Sequence, residues 1–274
     1  MLRAALFSLL LLIPGLPAWS QGTARIDPLY RALGLPEIVA IMRQEGIDYG
    51  QELAGELFAG QGGQGWSGMV DEIYRLPRLE GIVRDRLAEI LTDQDLAPML
   101  AFFDSDLGRR IVGLEISARR ALLDPDVDAA SRAALADLIG DDDPRLDLIE
   151  TFSEVNTLVE NNVVGAMNSN FAFYRGLSEG GAFGAAFSQD DMLADVWSQE
   201  QAIRDETTEW LYSYLMMAYR PLSDAELAAY IAFSETPEGA ALNQAIFDAF
   251  DEMFVTVSLA LGHAAARYMS GEQL

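Results

Sequence analysis

LTDQDLAPMLAFFDSDLGRRIV at residues 91–112 and LSDAELAAYIAFSETPEGAALN at residues 222–243 are two versions of one phrase, and their reading decides the fold. At a constant offset of 131 residues, Leu91, Asp93, Leu96, Ala101, Phe102 and Gly108 recur as Leu222, Asp224, Leu227, Ala232, Phe233 and Gly239. Between them fall conservative pairs such as Thr92/Ser223, Asp95/Glu226 and Ser105/Thr236. Ser223 followed by Glu226 predicts a capping box, in which hydroxyl and carboxylate each satisfy a free amide of the first turn; Thr92 with Asp95 predicts a shorter version. Each box should open a helix of about three turns. Ser105 and Thr236 then cap a second helix, with Pro237 at its favoured first position. The glycine three residues after each of these caps disfavours helix relative to Ala, so a neighbouring backbone or ring should approach closely there. The phrase predicts helix, elbow, helix.

Working outward, Leu242, Ile246, Phe250, Met253, Val257, Leu261, Ala264 and Tyr268 lie at steps of three and four and predict one long amphipathic helix. The first copy offers the shorter stripe Leu107, Ile111, Leu114, Ala118 and Leu122. Asp143 with Pro144 predicts the start of another helix, carrying Ile149, Phe152, Val159, Val163, Met167, Phe171 and Tyr174. No stretch alternates as a strand would, so the fold class is all-α, a helical bundle built from two tandem, divergent helical repeats. A glycine loop at Gly60–Gly65 has a weaker counterpart in Gly180, Gly181 and Gly184, and Met69 aligns with Met192. The expected division is a leader over 1–20, repeat one over 21–123, an acidic linker over 124–143 and repeat two, with the long C-terminal helix, over 144–274.

AFFDSDLG and AFSETPEG, each behind an L-[ST]-D-x-[DE]-L opening, resemble the signature of the domain-of-unknown-function-2059 family. That phrase typically carries an aromatic pair, then Ser-Pro, and Gly two residues later. Phe102 and Phe103 keep the pair in copy one, where Asp106 replaces Pro; Pro237 keeps the proline in copy two, where Ser234 replaces the second aromatic. The resemblance implies a helical protein of the bacterial envelope and no particular activity. Phe102, Ser105, Gly108, Phe233, Thr236 and Gly239, the signature of the repeated elbow, are read as structural.

Composition removes whole classes of chemistry. All 18 basic residues are Arg, and the chain has one His and no Cys, which excludes lysine Schiff bases, P-loop lysines, disulfides and thiolate sites. The net charge of −25 is uneven: residues 21–137 carry 12 Arg against 20 acids, and residues 138–274 carry 5 against 23. Such a field repels phosphate backbones, so nucleic acid is not an expected partner, while cations are attracted. At the amino terminus, Arg3, the apolar stretch Ala4–Ile13 and the break at Pro14, Gly15 and Pro17 read as a secretory signal peptide cleaved after Ser20. The stretch is too short for a membrane anchor. The expected location is the periplasm, with no stable membrane anchor.

The remaining motifs carry little. GQGGQG at Gly60–Gly65 matches a dinucleotide loop letter by letter, but helix rather than strand precedes it, so an interhelical loop is expected. His263 stands beside the apolar stripe without further imidazole or thiolate ligands and is read as a structural or surface histidine. Asp124-Pro-Asp126-Val-Asp128 and Asp141–Asp143 fail the spacing of a calcium loop and are read as solvated charge. No catalytic residue, cofactor or metal site is therefore expected. Aromatic residues crowd into copy two; Phe171, Tyr174, Trp197 and Trp210 are the candidate contacts for a ligand or partner. The leading expectation is a non-enzymatic interaction or scaffold protein meeting an unknown envelope protein. The alternative is a carrier of a hydrophobic small molecule or lipid in an aromatic-lined crevice between helices.

Overall fold

The computed structural model describes residues 18–58, 63–141, 143–183 and 188–270, with side chains from residue 23 onward. The expected leader before Ala18, residues 60–62 of the glycine motif, and Gly184 lie outside the described residues. Among the described residues the fold is all-α, without strands. Six helices come first: α1 Ala18–Ala32, α2 Leu35–Phe58, α3 Gly63–Ile73, α4 Leu76–Ile90, α5 Ala97–Phe103 and α6 Asp106–Ala121. Then come α7 Pro125–Gly140 and six more: α8 Arg145–Val155, α9 Leu158–Glu179, α10 Gln189–Ser198, α11 Glu200–Tyr219, α12 Asp224–Ser234 and α13 Pro237–Met269.

Both elbows form as the phrase predicts. Ser105 Oγ accepts from Gly108 N at 3.0 Å, and Thr236 Oγ1 accepts from Gly239 N at 3.0 Å. A Cβ at Gly108 would stand 2.2 Å from the Phe102 carbonyl oxygen, and one at Gly239 would stand 2.1 Å from that of Phe233. The expected close approach is therefore the chain's own preceding helix folding back on the glycine. Ser223 and Glu226 form the full capping box of α12. The shorter box of copy one does not form. Pro98 starts α5 only at Ala97, Asp95 Oδ1 accepts from Ala97 N at 3.0 Å, and Thr92 turns back to donate to the Ala88 carbonyl at 2.7 Å. As a result α5 has 7 residues, two turns rather than three.

Two other expectations change. The helix predicted to run from Asp143 through Tyr174 is broken: Thr157 has φ +53°, in the left-handed region, and separates α8 from α9. Buried Asn156 holds the break, its side chain donating to the Phe152 carbonyl at 2.9 Å and its own carbonyl accepting from Asn243 Nδ2 at 2.8 Å. The acidic stretch 124–143, expected as a solvated connector, is mostly helix α7. Asp124 Oδ1 caps its start at 2.9 Å, Leu135 is buried, and Arg132 pairs with Asp128 on its own helix and with Glu206 on α11 at 2.7 Å. Carboxylates at a helix start are favoured by the exposed amides there, so these charges support helix rather than prevent it.

The apolar stripes build two cores, and each elbow sends its second helix into the core of the other half. The larger core joins Ile26, Val39, Trp66, Leu79, Leu87 and Met99 of α1–α5 to Leu242, Ala249, Met253 and Leu261 of α13. The smaller joins Ile111 and Ala118 of α6 to Ile149 and Phe152 of α8, Leu211, Leu215 and Tyr219 of α11, and Leu227 and Ile231 of α12. At the seam the matched residues of the two phrases meet: the rings of Phe102 and Phe233 stack with centroids 4.1 Å apart and planes 10° from parallel. Arg110 adds a polar tie across the seam, pairing with Glu226 and donating to the Pro221 carbonyl at 2.6 Å. The long helix α13 crosses α9 with backbones in contact. A Cβ at Gly262 would lie 2.2 Å from the Phe173 carbonyl oxygen, and one at Gly176 would lie 2.3 Å from that of Leu259.

Candidate ligand crevice between the two halves

The exchange of helices leaves a crevice of about 520 Å³ where α2, α6, α8, α9, α11, α12 and α13 converge. Its walls are mostly apolar and aromatic: Ile38 and Met42, Phe152, Trp210 and Tyr214, Tyr219, Tyr230, and Ile246, Phe247, Phe250 and Phe254. Phe152, Tyr219 and Tyr230 form one aromatic group, with centroids 4.8 to 6.1 Å apart. Tyr230 also stacks on Phe102 at 5.6 Å, so the crevice wall continues into the seam between the elbows. A concave, largely apolar site with a few convergent polar groups is the usual form of a small-molecule pocket.

The polar group at its centre is Glu115, on α6. Tyr219 donates its hydroxyl to Glu115 Oε1 at 2.6 Å, and Tyr230 also hydrogen-bonds the carboxylate. Burial pushes the Glu115 carboxyl up to about 7, against the opposing pull of these hydroxyls. The same burial, with the Glu115 charge nearby, raises Tyr214, Tyr219 and Tyr230 above the ordinary phenol range. Among the described residues no ion pair reaches Glu115. Arg119, one turn further along α6, is held by Glu45 through two hydrogen bonds of 2.9 and 2.7 Å, and its guanidinium lies over the Trp210 ring, 4.8 Å from the centroid. Trp210 in turn stacks on Tyr214 at 5.4 Å with planes 5° apart. Arg119 thus ties α2 to α6 and fixes the aromatic wall contributed by α11. On the opposite wall Asp251 accepts from Asn168 Nδ2 at 3.0 Å.

Of the four aromatic candidates, only Trp210 lines the crevice. Phe171 is half-buried on α9 away from it, and Tyr174 donates to Asp195 Oδ2 at 2.7 Å, tying α9 to α10. Trp197 is 65 % exposed on α10, one turn after Leu193. The crowding of aromatics in sequence therefore reflects three separate environments. Glu115 escaped the sequence reading although its signal was present: it stands four residues after Ile111 and three before Ala118, an acid interrupting an apolar stripe. His263 is half-exposed, with Nε2 3.1 Å from Glu179 Oε2. Asp143 Oδ1 accepts from Arg145 N at 2.8 Å, so this acid serves a helix start. Among the described residues no three His, Asp or Glu side chains cluster as metal ligands, and no helix is long and apolar enough to cross a membrane.

The first elbow and its flanking helices decide the likeness to known proteins. Residues 77–137 match the family described as uncharacterized protein conserved in bacteria, DUF2059. The DUF2059 match runs from the start of α4 into α7 and contains Phe102, Ser105, Gly108 and Glu115; the second elbow lies outside it. No curated protein and no solved structure matches the chain.

Proposed function

We propose that the chain is an exported, non-enzymatic binding protein that carries an apolar small molecule in the crevice between its halves. The observation that supports this reading is the crevice itself, about 520 Å³ of aromatic-walled space around the half-buried Glu115 carboxylate. A carrier needs such a space, whereas a scaffold needs only a filled core and an outer face. The chain is further read as a tandem duplication of a six-helix unit, repeat one over 21–123 and repeat two over 144–274, with α7 as the joint between them. The order of helices on either side of α7, the shared cap and glycine of each elbow, and the stacking of Phe102 on Phe233 support it. Export to the periplasm rests on the leader pattern of residues 1–20 and on the envelope proteins that the signature resembles.

Native mass spectrometry of protein purified gently from its host tests the carrier reading. The expected result is a stoichiometric apolar molecule that is lost in Ala166→Trp, a substitution that fills the crevice. A chain that is bare in every preparation overturns it. The exposed pair Leu193 and Trp197 favours a second reading, an interaction module for an envelope protein. In that case Trp197→Ala would abolish a co-purifying protein and leave Ala166→Trp without effect.

A further inference from the structure

The crevice brings together features that select the charge of its occupant. Glu115 is a carboxylate among aromatic rings whose hydrogen-bond partners are hydroxyls, not a cation. Arg119, the cation in the lining among the described residues, is already committed to Glu45 and to the face of Trp210. The opposite wall adds Asp251, and the whole chain carries −25. Ring faces carry partial negative charge, as the Trp210 face shows in holding Arg119, so Tyr214 and Phe152 favour a positive group close to them. An anionic ligand would face two carboxylates, with the lining's Arg119 already paired to Glu45.

We propose that the crevice takes an organic cation, an amine with an apolar aromatic body, whose ammonium sits against the Glu115 carboxylate while the body lies along the Trp210–Tyr214 wall. The inference rests on the carrier reading and names its ligand class. An ammonium supplies the counter-charge that the fold withholds from Glu115, and it offsets the burial that holds the carboxyl near 7. Tyr219 and Tyr230 then orient the carboxylate instead of competing with the ligand, because each donates to it and leaves the carboxylate's remaining lone pairs for the amine.

The test is isothermal titration of the full chain with naphthylethylamine, naphthylethanol and naphthylacetate, probes of like shape and different charge, about one unit above the Glu115 value of about 7. The amine is expected to bind roughly tenfold tighter than the alcohol, with the acetate weakest. In Glu115→Gln the amine should fall to within roughly threefold of an unchanged alcohol. If the alcohol or the acetate equals the amine on the wild-type protein, the cation inference is overturned and the carrier reading stands. If none of the three binds, both are overturned. An amine preference that survives intact in folded Glu115→Gln removes Glu115 as its cause and overturns the assignment. The wild-type series decides the charge question even if the variant does not fold.

Discussion

The two elbows share a cap, a glycine and an aromatic, yet they differ at both ends. Upstream, α12 starts from a complete capping box at Ser223, whereas Pro98 delays α5 and leaves Thr92 bonded back to α4. Downstream, α6 runs 16 residues and α13 runs 33. What is common is set within the turn itself, where the glycine admits the preceding carbonyl. What differs is set by the surroundings: α13 continues where Gly262 lets it lie against Gly176 of α9, while α6 ends at Ala121, just before Asp124 caps α7. A short phrase can thus specify a corner without specifying how far the chain runs beyond it.

The strongest way to break the comparison is to fill both corners. Gly108→Ala and Gly239→Ala should each cost about 3 kcal/mol or more, because the new methyl meets backbone that must move. Urea unfolding that tolerates one and not the other would show that the elbows are not equivalent. Gly262→Ala bears on the second elbow's long exit helix alone and should cost about 2 to 3 kcal/mol for the same reason. At the seam, Phe102→Ala and Phe233→Ala should each lose about 2 kcal/mol. Their double-mutant cycle should return a coupling of about 1 kcal/mol; additivity would mean that the rings pack independently.

Glu115 sharpens the comparison further, since α6 carries an acid in its buried stripe. Its folded-state carboxyl is raised to about 7 from the ordinary carboxyl value of about 4.5, so folding holds the proton more tightly than the unfolded chain does. Below both values the group is protonated in each state and costs nothing. As pH rises from about 4.5 to about 7 its contribution to stability is progressively lost, by about 2 kcal/mol once water in the crevice is allowed for. Glu115→Gln should flatten that part of the stability profile and melt higher than the wild type above neutral pH. A variant whose profile keeps the wild-type slope would show that other groups cause it. The smallest effect belongs to the caps: Ser223→Ala should cost about 1 kcal/mol and Thr92→Ala only a few tenths, measured by thermal unfolding. Equal losses would restore the equivalence that the structure denies.

The elbow was legible because its determinants are local: a hydroxyl and an amide three residues apart, and a glycine whose missing side chain is felt within the same turn. The long apolar stripe of α13 was legible for the same reason, since helical period is a property of the chain's own geometry. The break at Thr157 was not, because the partner that holds Asn156 is Asn243, on another helix far along the chain. Nor was the crevice. Trp210 and Trp197 look alike in the sequence, and only packing separates a ring supported by Arg119 from one left 65 % exposed.

By itself, then, the sequence determined an all-α chain with two matching corners, a strongly acidic surface and chemistry without lysine or cysteine. Only the tertiary structure decided that each half lends its last helix to the other's core, that Phe102 meets Phe233, and that Glu115 lies half-buried beside two tyrosines in the space between. Helix and cap depend on neighbours a few residues apart, which any reading of the chain can see. Burial, charge pairing and the shape of a crevice depend on residues brought together from distant positions, and the free energy of those contacts exists only once the fold has closed around them.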